Sequence, residues 1–112
     1  MDRAGRQERQ EENEMQFLIK ALDGENMLER RMAVRPRHLE GMAKLGRHIV
    51  VAGGILDEAG RPKGSVLVLE FPDRADLDAY LKQEPYVLEH VWETIEVEPM
   101  NVVIVSGEKI GS

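Results

Sequence analysis

The chain has 112 residues, a formal net charge of −6, a pI near 5.1 and no cysteine. That length suits one domain and not two. Disulfides, thiolate zinc sites and thiol catalysis are excluded, and the acidic balance argues against nucleic acid and against an anionic membrane surface, both of which are held through basic patches.

No apolar run approaches the roughly 20 residues of a membrane span. The opening Met1-Asp2-Arg3-Ala4-Gly5-Arg6 leads into polar sequence without the apolar core of a signal peptide, so a cytoplasmic protein is expected. Residues 1–14 have no large apolar side chain after Met1. Burial cannot offset their ordering entropy, and they are read as a flexible polar extension. The domain is expected over residues 15–106, with a flexible tail at 107–112.

Met15 to Leu22 alternates Phe17, Ile19 and Ala21 with Gln16, Leu18 and Lys20, the period of a strand. Asp23-Gly24-Glu25-Asn26 is a turn and cap signal. Met27 to Gly46 has helical composition, with Pro36 inside it; a kink or restart is expected near Arg35, with Gly46 as the C-cap. Arg47 to Leu56 reads as a second strand, Asp57 to Lys63 as a hairpin loop, and Gly64 to Phe71 as a third strand. Asp73 is the expected N-cap of a second helix whose Leu77, Tyr80 and Leu81 form one stripe. Pro85 ends that helix or starts a short further turn. Trp92 to Val105 is the last strand region, divided by Pro99.

The order β-α-β-β-α-β predicts an α+β fold of the ferredoxin-like kind, one antiparallel sheet with both helices on one face. Three segments, Ile49-Val50-Val51-Ala52, Val66-Leu67-Val68-Leu69 and Val102-Val103-Ile104-Val105, are apolar on both faces. A half-solvated antiparallel strand should alternate. The second face therefore needs a cover, and a second copy of the sheet is the simplest one. A homodimer through the sheet face is expected.

Chemistry is suggested by two motifs, Arg35-Pro36-Arg37-His38-Leu39 in the first helix and Glu84-Pro85-Tyr86-Val87 after the second. A histidine held by a carboxylate is the minimum apparatus for proton transfer near neutral pH. His38, Met42 and Leu45 follow one another at i, i+4 and i+7, so His38 borders the apolar stripe. The plain alternative is a half-buried, hydrogen-bonded histidine with no chemical role. Arg35 and Arg37 could hold a carboxylate or phosphate, or pair with surface acids. Gly53 and Gly54 inside a strand suggest a bulge, a close approach, or simply twist. Ser65 could line a cleft or serve the turn. The three histidines lack a helix-spaced pair, and no phosphate loop or dinucleotide fingerprint is present, so neither metal nor cofactor is expected.

Taken together, Leu28-Glu29-Arg30-Arg31, Val34-Arg35-Pro36-Arg37-His38-Leu39, Val51-Ala52-Gly53-Gly54, Gly64-Ser65-Val66 and Glu84-Pro85-Tyr86-Val87 resemble the YCII-related family in order and spacing. The resemblance covers nearly all of Met15 to Val105. It implies a ferredoxin-like domain of the dimeric α/β-barrel group with a His–Asp pair at the site. The family histidine falls on His38 and the family aspartate on Glu84, which keeps the charge and adds a methylene. A family glycine shortly after the aromatic falls on His90, which would bring a second imidazole near the site. The implied function is a small cofactor-independent enzyme in which His38 and Glu84 move a proton on a small organic ligand. Arg35, Ser65, Tyr86 and Gly53 are then candidates for holding that ligand. The alternative is a non-catalytic ligand-binding or stress-associated dimer.

Overall fold

The structure, a computed structural model, describes residues 14–110. Residues 1–13 of the expected N-terminal extension and residues 111–112 of the expected tail lie outside the described residues. Strand β1 (Met15–Asp23) is followed by helix α1 (Leu28–Leu45), strands β2 (Ile49–Leu56) and β3 (Pro62–Phe71), helix α2 (Arg74–Leu81), a one-turn helix α3 (Pro85–Leu88) and strand β4 (Trp92–Met100). The four strands form one antiparallel sheet in the order β2-β3-β1-β4, as the β-α-β-β-α-β pattern predicts. Two further short strands, β5 (Ile104–Val105) and β6 (Glu108–Lys109), pair with each other outside that sheet.

Period-2 alternation sets the register. Ile19 lies opposite Leu67 on β3 and Val97 on β4, and Phe17 opposite Leu69 and Pro99. These residues share the face turned to the helices, where Phe17, Ile19, Ala21, Leu67 and Leu69 are buried. From α1 the core receives Val34 and Met42, from α2 Leu77, and from the end of the chain Tyr86, Val91 and Trp92.

Several local expectations change once the chain is packed. Helix α1 runs through Pro36 as one element with no second start. Its buried residues Arg31, Val34, His38 and Met42 stay on one stripe across the proline. That shared burial outweighs the single backbone hydrogen bond a proline forfeits. Gly46 caps the helix at φ 54, and its N–H donates to the Met42 carbonyl. The Asp23 turn signal caps nothing: β1 extends through Asp23, and α1 starts after Met27 without a side-chain cap. Asp73 does cap α2, accepting from the Asp76 N–H. Pro99 does not divide the last strand, because β4 is an edge strand and the ladder on that side has no partner to lose. The apolar run Val102–Val105 does not join the sheet. Val102 is buried and its N–H donates to Gln16 Oε1 at 2.6 Å, while Ile104 stands 62% exposed in the small hairpin. The register between β2 and β3 shifts at Val50 of β2 and at Lys63 of β3, and not at Gly53-Gly54, where pairing with Val66 and Ser65 is regular.

Candidate active site

Helix α1 crosses the helix-side face of β2 and β3 and leaves a cavity of about 660 Å³ between them. That volume suits a small organic ligand. One wall is the α1 stripe Arg31, Arg35, His38 and Met42; the opposite wall includes Ser65 and the Gly53-Gly54 backbone, with Tyr86 also lining the space.

His38 and Glu84 meet. His38 Nδ1 lies 2.8 Å from Glu84 Oε2, with both residues buried. Glu84 is only 1% exposed, yet three donors serve it. The Tyr80 hydroxyl donates to Oε1, and the Tyr86 N–H and the His38 ring meet Oε2. The chain supplies this locally: Pro85 opens α3, Glu84 sits at its N-cap, and an N-cap carboxylate accepts from the free N–H groups of the first turn. The extra methylene of glutamate is therefore accommodated, since one carboxylate caps α3 and reaches α1 together.

The ring of His38 stacks on Tyr86 with centroids 4.1 Å apart and planes inclined by 18°, and it meets Trp92 edge-on at 6.3 Å. Stacking fixes its plane and the Glu84 contact fixes its rotation. With Nδ1 engaged as donor to a carboxylate, Nε2 carries the lone pair in the neutral ring. Nε2 has no hydrogen-bond partner among the described residues, and His38 lines the cavity.

A second buried group lies beside the first. Arg31 Nη1 is 2.8 Å and 3.0 Å from the two Asp23 oxygens, and its Nη2 donates to Ser65 Oγ at 2.9 Å. The guanidinium carbon sits 4.7 Å from the Tyr86 ring centroid, within cation–π range. Burial pushes the Asp23 carboxyl up from its ordinary 3.8, and the Arg31 charge and hydrogen bond oppose that rise. Both tyrosines are held up as well. Tyr80 is raised by burial and by the negative charge of Glu84. Tyr86 is raised by burial, with Arg31 and Arg35 pulling the other way. Both phenols therefore keep their protons at neutral pH.

Of the residues singled out in the sequence, Arg35, His38, Ser65, Tyr86 and Gly53 line the cavity, and Glu84 stands behind His38. Gly53 contributes backbone only. A Cβ there would meet nothing within 4 Å, whereas one on Gly54 would lie 3.9 Å from Arg31 Nη2, so Gly54 faces the cavity. Arg37 is apart from the site, 3.5 Å from Glu89 at the surface. His90 is exposed, does not line the cavity and sits at φ 60, so no second imidazole joins the site. Sequence reasoning missed Arg31, Asp23 and Tyr80. A charged residue on the buried stripe of α1, seven positions before His38, was the available signal for Arg31. Tyr80 was legible as stripe, but its i, i+4 relation to Glu84 gains meaning only once both are buried.

Comparisons with known proteins agree with this fold. The YCII-related domain profile matches residues 15–101. Protein YciI of Escherichia coli O6:H1 is 30% identical over 97 residues, which cover 80% of this chain and 99% of that protein. Aspercryptin biosynthesis cluster protein B of Emericella nidulans is 31% identical over 87 residues, 70% of this chain; the chain spans 56% of that protein's length. Among solved structures, 5-chloro-2-hydroxyhydroquinone dehydrochlorinase from Burkholderia phenoliruptrix superposes with a TM-score of 0.73 at 23% identity, over 78% of this chain and 94% of its own. A candidate antibiotic biosynthesis monooxygenase from Bacteriodes thetaiotaomicron gives 0.55 at 17% identity, over 85% and 94%. These two likenesses concern the fold. No helix among the described residues is long and apolar enough to cross a membrane. With the domain match running from the first strand to the end of the last sheet strand, the chain belongs to the YCII-related family.

Proposed function

We propose that the protein is a small enzyme that moves a proton on a small organic substrate without a cofactor, with His38 Nε2 as the base or acid and Glu84 as its orienting group. The observation that carries this reading is the buried His38–Glu84 pair at 2.8 Å, backed by Tyr80 and opening on a cavity of small-molecule size. A purely structural histidine has no need of a cavity beside its second nitrogen. The substrate enters past Arg35, an exposed cation on the cavity wall with no ion-pair partner among the described residues, which favours an anionic or oxygen-rich molecule. The dehydrochlorinase of similar fold was solved with 2,5-dihydroxybenzoquinone, an oxygen-rich ring of the size this cavity accepts.

The test is exchange of carbon-bound protons in D2O, followed by NMR over a panel of small carbonyl acids and hydroxylated aromatics. Wild type is expected to accelerate exchange in at least one compound, and His38→Ala to lose about a hundredfold or more of that rate. Equal exchange by both proteins, or none by wild type, returns the pair to a structural role in a ligand-binding protein.

The sheet face opposite the helices supports a further part of the reading, a homodimer. Leu18, Leu22, Val51, Ile55 and Val66 alternate onto that face of β1, β2 and β3, and Val51 is 57% exposed, while Val68 on the same face is already buried within the chain. A second copy packed face to face would cover them.

A further inference from the structure

The Tyr86 hydroxyl has no assigned role. Tyr86 is 1% exposed, its ring is clamped by His38 and Arg31, and its backbone N–H is used by Glu84. Its hydroxyl makes no hydrogen bond to any described residue. A sealed phenol without a partner is costly. Among the described residues, the fully buried side-chain polar atoms without a partner are Glu14 Oε1 and Trp92 Nε1. The Tyr86 hydroxyl is not one of them, so it keeps a little accessible surface, on a residue that lines the cavity. Ser65, also on that wall, accepts from Arg31 Nη2 and has its own proton left to donate.

From this juxtaposition we infer that the Tyr86 hydroxyl, with Ser65 and the Arg35 charge, binds a negatively charged substrate oxygen, and that the substrate is an enolisable carbonyl compound or its phenolic tautomer. The inference rests on the reading of His38 as the proton-transfer group and supplies its missing half. When His38 Nε2 takes a proton from the carbon beside a carbonyl, the C–H electron pair becomes the C=C bond. The carbonyl π pair moves to oxygen, giving an enolate. A base alone leaves that charge unsupported. A protonated phenol donating to the enolate oxygen holds it, in the manner of an oxyanion site. Returning the proton from His38 to the same or another carbon closes the cycle with no oxidant or reductant.

The probe is 4-nitrophenol, whose phenolate absorbs in the visible and mimics an enolate oxygen on a flat ring. Wild type is expected to bind it as the phenolate, raising the visible band at fixed pH. Tyr86→Phe keeps the ring and its stacking, so its thermal midpoint should match wild type within about a degree, since no protein hydrogen bond is lost. Its affinity for the phenolate should fall about tenfold or more, the effect of losing a hydrogen bond to a charged group. Binding of the probe needs no proton transfer to carbon, so it is read separately from the exchange activity that tests His38. Wild-type failure to bind at millimolar concentration overturns the inference. So does unchanged affinity in Tyr86→Phe, or a fall of several degrees in its midpoint, which would make the hydroxyl structural. Loss of exchange activity in His38→Ala bears on the base alone and leaves the oxygen site to stand or fall on the probe.

Discussion

His38 Nδ1 and Glu84 Oε2 lie 2.8 Å apart although 46 residues separate them in the chain, and the carboxylate that joins them also caps the turn carrying Tyr86. One side chain therefore couples α1 to α3. Glu84→Ala leaves the His38 ring, the Tyr80 hydroxyl and the Tyr86 N–H short of an acceptor, and should cost about 3 kcal/mol or more in denaturant unfolding. Glu84→Gln keeps the shape. Its amide can face Tyr80, whose hydroxyl can turn to accept it, while the carbonyl stays with His38 and Tyr86. That variant should lose about 1–2 kcal/mol, clearly less than the alanine variant. Equal costs would contradict the shared-acceptor arrangement.

The two tyrosines of the chain offer a pH test. Both phenols are raised above their ordinary 10.0 in the folded protein, chiefly by burial. A group whose folded pKa is raised favours its protonated form in the native state. Its contribution to stability is fully present below the unfolded value and is lost as pH rises through the folded one. Ultraviolet titration should show no phenolate at pH ~10 in the native protein, and both phenols titrating near ~10 in denaturant. Alkaline unfolding should follow above that pH. A native tyrosine titrating at ~10 would contradict the burial.

Arg31 and Asp23 form a buried pair with side chains 6% and 5% exposed. Arg31→Met strands the Asp23 carboxylate and should cost about 3 kcal/mol. Adding Asp23→Asn removes the stranded charge, so the double variant should be no less stable than Arg31→Met alone. A double-mutant cycle by chemical denaturation measures this; strict additivity would show that the two side chains do not act as a unit.

His90 occupies φ 60, a conformation that glycine adopts without a Cβ penalty. His90→Gly should raise stability by about 0.5–1 kcal/mol, the relief of strain less the added freedom of the unfolded chain. Lower stability would mean that the exposed imidazole contributes more than its backbone costs.

Covering the open sheet face should bury on the order of 2,000 Å² in a stable dimer. Light scattering should give twice the chain mass at micromolar concentration, and Val51→Lys should shift the population toward monomer. A monomer in the wild type would leave the exposed Val51 and its neighbours without the expected cover.

The fold was largely legible because it rests on local signals. Alternation in Phe17-Leu18-Ile19 marked the central strand, Asp73 and Gly46 marked helix ends, and the strand–helix order left one simple way to fold the sheet. His38 and Glu84 could also be named, since helical spacing put one beside the core and Pro85 held the other at a helix start. What the sequence could not carry is what each polar group meets. Asp23 reads as a turn residue, and becomes the partner of Arg31 only because β1 and α1 pack with that carboxylate inside. Pro36 reads as a break, and is overruled by burial on both sides of it. Val102–Val105 reads as a core strand, but only Val102 is buried, while Ile104 and Val105 pair with Lys109 and Glu108 in a separate hairpin. Periodicity reports which side of an element is apolar. Which donor reaches which acceptor across the fold depends on distances between segments far apart in the chain, and those exist only after the core has closed.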